Sequence, residues 1–244
     1  MSQSLQTTQR STVPNYLTTD TVNTPGIATQ MRATTKPQRR RGELSRRDWV
    51  EAARGILING GMAALSLRGL AEALNVTTGA FYSLFASLDE LQDAILEDWV
   101  QCNTEPFTRA IEAAGPDGMD QYVAYVRELV LGVEFDPRFD NAIRDWAHSS
   151  PKTAALLREI EVFRIEQLNR VYLAMGFTGK AALMRARVTY FHQVGYNAMQ
   201  ITETLEERLA NIPYYAEILT ERTDLLAVED HERIRAILLG SDHS

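Results

Sequence analysis

The sequence contains little of what disulfides, metal sites and membrane spans require. Cys102 is the single cysteine, so no disulfide can form within one chain. The four histidines lack the spacing of a zinc site: His148, His192, His231 and His243. No run approaches the roughly 18 apolar residues of a membrane span, and the N-terminus has no basic start followed by an apolar segment. We therefore expect no metal, no cofactor and no membrane association, and we expect a cytoplasmic protein.

Common enzyme motifs are missing as well. The sequence has no Glu-x-x-His pair, no His-Glu-x-x-His run, no phosphate-binding glycine loop and no Gly-x-Ser-x-Gly elbow. Asp145 and His148 come nearest to a metal pair, and one such spacing is common by chance. Alternating strand patterns are also absent. The sequence therefore favours an all-α protein that is not an enzyme, with a helical-bundle enzyme as the weaker alternative.

What the sequence does contain is an uneven distribution of charge. The chain has 244 residues and a net charge of −7. Residues 36–85 carry +4 and residues 1–35 carry +1, whereas residues 86–244 carry −12. A small basic unit joined to a large acidic body is typical of a polyanion-binding module. On charge alone, a basic surface that only contacts solvent stays an open alternative.

Composition and hydrophobic spacing divide the chain into three segments. Residues 1–35 are rich in Thr, Ser and Gln and show no sustained period. We expect residues 1–40 to form a disordered tail with a basic arm, in which Arg39 and Arg40 are followed directly by Arg41 of the next segment. Residues 41–87 contain three short helical patterns, and residues 88–244 contain further helices without an internal repeat.

Capping residues and helix breakers predict where the helices begin and end. A capping box at residues 45–48 starts the first helix, which the glycines at 60–61 should stop. Ser66 starts the second helix, Asn75 ends it in a left-handed conformation, and a third helix spans about 78–85. With breaks at Pro106 and Pro213, the later helices are expected near 88–105, 119–133, 138–149, 152–175, 179–208, 213–222 and 229–239.

Residues 66–85, SLRGLAEALNVTTGAFYSLF, form the most informative stretch. Two short helices joined by a tight turn in a basic unit fit a helix-turn-helix, whose second helix enters the major groove of DNA. Four small residues begin that helix and would let its backbone approach the DNA: Thr77, Thr78, Gly79 and Ala80. Phe81, Leu84 and Phe85 would pack it onto its neighbours, and Tyr82 can reach a phosphate. The alternative is the corner of a helical bundle with a simple threonine cap.

Residues 45–99 resemble the DNA-binding domain of TetR-family transcriptional regulators. The matching residues keep the family's spacing: Ser66, Arg68, Leu70, Ala71, Asn75, Val76, Thr77, Gly79, Phe81, Tyr82, Phe85, Ser87, Glu90 and Leu91. Two positions depart from it, because Asn75 stands at the turn glycine and Leu88 replaces a lysine that contacts phosphate. Together with the arginine arm, the resemblance implies these DNA contacts: Arg39, Arg40, Arg41, Ser45, Arg46, Ser66, Arg68, Thr77, Thr78, Gly79, Ala80 and Tyr82.

The resemblance also implies the role of the larger segment. In the family an all-helical domain follows the helix-turn-helix, encloses a ligand pocket and dimerises through a four-helix bundle. Candidate ligand contacts in residues 88–244, each of which could instead be core, are Trp99, Asn103, Phe107, Tyr122, Tyr125, Trp146, Phe163, His192 and Tyr196. For the dimer surface we favour residues 181–199, where Tyr190, Val194 and Ala198 form a stripe that could equally serve the internal core.

These observations together predict a ligand-responsive transcriptional regulator. We expect a repressor rather than an activator, which binds a pseudo-palindromic operator in double-stranded DNA as a homodimer and is released by a small-molecule effector. The alternative from another class is a DNA-binding protein that needs no ligand. A sensing body is favoured because more than half of the chain follows Trp99, and DNA architecture alone would not require it.

Overall fold

The computed structural model describes residues 44–132, 134–228 and 230–240, and within these ranges the fold is all-α. The predicted arm of Arg39, Arg40 and Arg41 lies outside the described residues. The helices are α1 Arg46–Ala64, α2 Leu67–Leu74, a first 3₁₀ helix Thr78–Ser83, α3 Leu88–Ala113, α4 Gly118–Leu131, α5 Pro137–Ala147, α6 Pro151–Ala174, α7 Gly179–Ala198, α8 Leu205–Thr220, a second 3₁₀ helix Asp224–Ala227 and α9 His231–Leu238. None of the helices in these ranges is both long and apolar enough to cross a membrane.

The caps predicted for the first two helices are confirmed. Ser45 and Asp48 form a reciprocal capping box at the start of α1, in which the Asp48 carboxylate accepts from the Ser45 amide at 2.7 Å. At Gly61 the backbone leaves the helical conformation with φ of 68°, as a glycine can, and one more turn follows up to Ala64. Asn75 ends α2 in the left-handed conformation with φ of 56° and ψ of 46°.

The third helix differs from its prediction in type and length. Residues 78–83 form a 3₁₀ helix instead of an α-helix that reaches residue 85. Its bonds join residues three apart, as from the Ala80 amide to the Thr77 carbonyl at 3.1 Å and from the Leu84 amide to the Phe81 carbonyl at 2.9 Å. The tighter winding is typical of such a short segment.

Three predicted helix boundaries in the body are wrong. Pro106 does not break α3, and Pro213 does not begin a helix, because buried side chains next to each proline keep the chain packed as a helix. The helix predicted for 179–208 ends at Ala198, and Gln200 adopts a positive φ of 52°. A new helix then starts at Thr204, whose capping box with Glu207 is a signal that the sequence contained.

The hydrophobic core is continuous across the predicted domain boundary at residue 87. One cluster of buried side chains includes Trp49 of α1, Phe81 of the first 3₁₀ helix, Trp99 of α3 and Ile143 of α5. A second cluster joins α3, α4, α6 and α7, and a smaller one joins α8 and α9 with α4. The three short helical segments therefore share their core with α3 and α5, which fixes their position relative to those helices.

Candidate DNA interface and effector site

Aromatic side chains hold the first 3₁₀ helix in place. The Phe81 ring lies 5.3 Å from the Trp49 ring and 5.2 Å from the Phe85 ring, measured between centroids. Phe81 and Phe85 are almost fully buried, and Leu84 is half-buried against the same cluster. This confirms the packing role predicted for the three residues, so the short helix is presented on a rigid platform.

The opposite side of the first 3₁₀ helix faces solvent. Thr77, Thr78 and Gly79 are exposed, Ala80 is half-buried, and the Tyr82 side chain is 63% exposed. A Cβ atom added at Gly79 would approach only the Thr77 Oγ1, at an ordinary 3.7 Å. Packing within the described chain therefore does not require a glycine at position 79. The small residues leave a flat exposed surface.

The neighbouring predicted contacts are tied into the local structure. Ser45 and Ser66 serve as helix caps. The Arg46 guanidinium donates to the Leu84 carbonyl at 2.5 Å and to Glu90 at 2.7 Å, and it lies 4.1 Å above the Phe85 ring. Arg68 is exposed and pairs with Glu72 at 2.9 Å, so part of its charge is neutralised.

Position 88 has a packing role in this chain. Leu88 begins α3, directly after the Ser87 cap, and packs half-buried against the core below the 3₁₀ helix. Next to it, Glu90 accepts from the Ala86 amide and from Arg46, and these bonds lower the pKa of its carboxyl. The junction between the 3₁₀ helix and α3 is thus held by apolar contact and by charge-assisted hydrogen bonds.

Two voids of the described residues meet at a common rim. An open cleft of about 920 Å³ lies between the end of α1, α5, and the C-terminal ends of α4 and α7. A smaller cavity of about 80 Å³ lies between α4, α7 and α8. The rim that lines both voids consists of Leu129, Val130, Tyr196, Asn197, Glu203 and Arg208. We call the two voids the cleft and the aromatic cavity.

The structure brings five of the nine predicted ligand residues to these voids. Tyr122, Tyr125 and His192 line the aromatic cavity, Trp146 lines the cleft, and Tyr196 lines both. Burial lowers the pKa of His192, whose ring lies 4.5 Å from the Tyr215 ring. Sequence reasoning missed the residues of α8 and the rim residues Asn197 and Arg208, because their positions depend on how distant helices pack.

The other four predicted ligand residues do not line either void. Phe107 borders a third, smaller space of about 10 Å³. Trp99 and Asn103 are fully buried and make contacts within the protein: the Trp99 indole donates to Asp140 at 3.1 Å, and the Asn103 amide donates to the Asp136 carbonyl at 3.3 Å. Phe163 is 38% exposed on the outer face of α6. We do not include these four in the site.

A network of buried charges connects α3, α5 and α6. The Asp140 carboxylate accepts from Trp99, from Arg144 at 2.9 Å and from Arg164 at 3.4 Å. Arg144 also reaches Glu161 and the Tyr190 hydroxyl, and Arg164 donates to the Asn103 carbonyl. Burial alone would raise the pKa of Asp140, but the two guanidinium groups outweigh it and lower the pKa. Asp140 is therefore an ion at neutral pH.

The outer faces of α6 and α7 carry exposed apolar side chains. On α7, Met184, Val188 and Phe191 recur at helical spacing and are 43–56% exposed. Val162 and Phe163 on α6 are exposed as well. The stripe predicted from the sequence is different, since Tyr190 is buried and bonded to Arg144. Within the predicted segment 181–199, the exposed apolar stripe is therefore the one of Met184, Val188 and Phe191, next to the predicted stripe that contains Tyr190.

Comparison with known proteins supports the interpretation of the N-terminal helices. Residues 50–95 match the family model of bacterial regulatory proteins, tetR family. A crystal structure of a transcriptional regulator from Rhodococcus sp. Rha1 has a TM-score of 0.52 and 20% sequence identity over 82% of this chain and 100% of that chain. At this identity the likeness concerns the fold. No curated protein matched the sequence.

The fold and the exposed 3₁₀ helix define the class of protein. A capped second helix, a left-handed turn at Asn75 and an exposed third segment form a helix-turn-helix, so this is a DNA-binding protein. Residues 50–95, which contain this unit, match the model of the tetR family of bacterial regulatory proteins, so the unit is a DNA-binding domain of the tetR type. The match points away from an enzyme.

Proposed function

We propose that the protein is a dimeric transcriptional repressor, which binds a pseudo-palindromic operator and releases it when a small-molecule effector binds the body. The observation that carries the proposal is the exposed first turn of the 3₁₀ helix, formed by small residues on a rigid aromatic platform. Repression rather than activation is what the family resemblance favours.

The first turn of the 3₁₀ helix is suited to contact base edges. Thr77, Thr78 and Gly79 are exposed and small, so the backbone can come close to the floor of the major groove. Tyr82 is exposed as well, and its hydroxyl would donate to a phosphate. Arg68, and the arginine arm outside the described residues, would add phosphate contacts. Arg46 would contact phosphate more weakly, because its ion pair with Glu90 neutralises part of its charge.

Band-shift titrations with two variants test DNA recognition. Tyr82→Phe removes one phosphate hydrogen bond, which is worth about 0.5–1.5 kcal/mol, so binding should weaken roughly 2–10-fold on every sequence alike. Thr78→Ala should instead change the base preference. Tyr214→Phe is the matched control, because Tyr214 is similarly exposed (61%) on α8. Equal wild-type affinity for an operator selected from random DNA and for its scrambled form would refute specific recognition.

The apolar faces of α6 and α7 support dimerisation. Exposed Val188 and Phe191 on α7, with Val162 and Phe163 on α6, would be covered by the same faces of a second copy. Two recognition helices would then lie roughly 34–36 Å apart, one turn of DNA. Val188→Asp should convert the dimer to a monomer in light scattering, whereas Ile218→Asp, at an exposed residue of α8 outside the predicted surface, should not. A Val188→Asp protein that stays dimeric would contradict this surface.

The cleft gives an effector a way to act on the DNA-binding unit. Its walls include Gly60 and Met62 at the end of α1 and Trp146 of α5, so a ligand there would contact both the helix-turn-helix unit and the body. A ligand changes DNA binding only if it prefers one arrangement of these walls over another. Linkage then requires operator DNA to weaken ligand binding by the same factor as the ligand weakens DNA binding, typically about 5–150-fold.

A further inference from the structure

We propose that the effector is a small aromatic carboxylate with a single ring. Its ring would occupy the aromatic cavity, and its carboxylate would lie at the rim between the cavity and the cleft, on Arg208 and Asn197. This inference rests on the proposed effector site and adds the chemical class of ligand that the site would bind.

The walls of the aromatic cavity suit a flat apolar ring. Tyr122 and Tyr125 line it from α4, His192 and Tyr196 from α7, and Tyr215 from α8. The Tyr125 hydroxyl is already bonded to Gln193, so it is satisfied without a ligand. Aromatic rings attract one another through stacked and edge-on contacts beyond the burial of apolar surface. An aliphatic chain of the same size would gain less from these walls.

The size of the aromatic cavity limits the ligand to one ring. A volume of about 80 Å³ is smaller than the apolar cavity of roughly 150 Å³ that is known to bind benzene. Such a space admits no more than one ring and excludes a fused polycyclic compound. Any substituent must extend through the rim toward the larger cleft.

Arg208 provides a positive charge at that rim that is not paired with a carboxylate of the described residues. Its guanidinium donates to the Leu129 carbonyl at 3.2 Å and lies 5.7 Å from the Tyr196 ring. Among the described residues, no carboxylate oxygen lies within 4.0 Å of it. The half-buried Arg144 and the buried Arg164, in contrast, both pair with Asp140. Apart from the Leu129 carbonyl, the described residues supply no acceptor for this half-buried guanidinium, and a carboxylate could bind it through two parallel hydrogen bonds.

Asn197 adds a second unused donor to the same rim. The side-chain nitrogen of Asn197 is enclosed and has no hydrogen-bond partner in the described part of the chain. An enclosed donor without a partner is unfavourable, and an acceptor on a ligand would remove that cost. Asn197 lines both voids, as Arg208 does, so both residues lie where one substituent would bind, and a small rotation of the Asn197 amide would bring its nitrogen to the ligand.

Glu203 shares the rim but is occupied by neighbouring donors. One of its oxygens accepts from the Tyr196 hydroxyl at 2.6 Å, and the other accepts from the Asn211 amide at 3.3 Å. Burial and the bond to Glu203 raise the pKa of Tyr196 to about 12, so its hydroxyl stays a donor. These bonds place Tyr196 between the cavity and the cleft, where it separates the ring of the ligand from solvent.

Calorimetry on the full-length protein without DNA tests the ligand class, with benzoate as the probe. Benzamide has the same shape without the charge, and acetate has the charge without the ring. We expect benzoate to bind more tightly than both. Arg208→Met should weaken benzoate about tenfold or more, because a charge-assisted hydrogen bond is lost, and should change benzamide little. Arg127→Met is the control, since Arg127 is also half-buried but does not line the cavity.

The outcomes separate this inference from the proposed function. No benzoate binding to the folded protein at millimolar concentration, tighter binding of benzamide, or equal benzoate binding by Arg208→Met would overturn the ligand class. If Arg208→Met does not fold by circular dichroism, Asn197→Ala replaces it, with an expected several-fold loss. Benzoate that binds as expected but leaves the operator complex intact would retain the ligand class and refute effector release. If a different compound releases the operator and benzoate does not bind, effector release is retained and the ligand class is refuted.

Discussion

Replacing Asp140 with asparagine should strongly destabilise the protein, because Asp140 is the central anion of a buried network. Its side chain is 3% exposed and accepts hydrogen bonds from Trp99, Arg144 and Arg164, which come from three helices. Asparagine has nearly the same shape but no charge. The substitution would leave Arg164 in the interior without a carboxylate partner, while Arg144 would keep Glu161.

The magnitude follows from the loss of one member of a buried ion pair. Removing one partner typically costs about 3–5 kcal/mol, since the remaining charge stays desolvated without compensation. For a chain of this size, 1 kcal/mol shifts Tm by about 2–4 °C, so Asp140→Asn should lower Tm by roughly 6–20 °C. Asp145→Asn is the control on the same helix, because Asp145 is exposed. Its free energy of unfolding should stay within about 0.5 kcal/mol of the wild-type value.

Urea denaturation and thermal melting, followed by circular dichroism at fixed protein concentration, measure the effect. The pH dependence provides a second test. The folded pKa of Asp140 lies below its usual value of 3.8, so this carboxylate stabilises the fold above that value, and the stabilisation is lost as pH falls through the folded pKa. Asp140→Asn should therefore be less sensitive to acid than the wild type. A stability loss under 1 kcal/mol at pH 7 would refute the assigned role of the network.

Two further predictions concern Asn75 and Gly118, where the backbone conformation or the packing favours a glycine. Asn75→Ala should lower the free energy of unfolding in urea by about 1–2 kcal/mol, because alanine is disfavoured in the left-handed conformation that ends α2. Asn75→Gly should leave this free energy nearly unchanged. Equal losses in the two variants would contradict the prediction. Gly118→Ala should cost about 1–3 kcal/mol, because its Cβ would lie 2.6 Å from the Ala174 carbonyl carbon and 2.7 Å from the Val171 oxygen, both backbone atoms. Gly55→Ala, with open space around its Cβ, should not destabilise, so an equal loss at both glycines would argue against the clash.

The features predicted correctly from the sequence are those with short-range signals. The capping box at Ser45, the cap at Ser66 and the left-handed Asn75 each depend on residues within four positions, and all three occur in the structure. The packing of Phe81 and Phe85 follows from their spacing on one face of a short helix. The family's spacing of residues carried the assignment of the unit as a whole.

The features missed from the sequence depend on distant contacts. The spacing of Phe163 on α6 is compatible with a core, a pocket or an outer face, and only the packing of α6 on α7 shows that it faces outward. Trp99 was expected at a ligand, but its partner Asp140 is 41 residues away. Pro106 and Pro213 are breakers by local rules, and burial of neighbouring residues overrides those rules.

The contacts of α1 limit how a ligand could move the DNA-binding unit. Arg54 of α1 pairs with Asp98 of α3 at 3.6 Å and with Asp136, the cap of α5, at 3.3 Å, and it lies 4.7 Å above the Phe139 ring. Because α1 is thus tied to both helices and shares their core, a tilt of the helix-turn-helix unit must either take α5 along or break these pairs. The cleft lies where α5 meets the end of α1, so a ligand that extends from the aromatic cavity into the cleft would act on the joint that must yield.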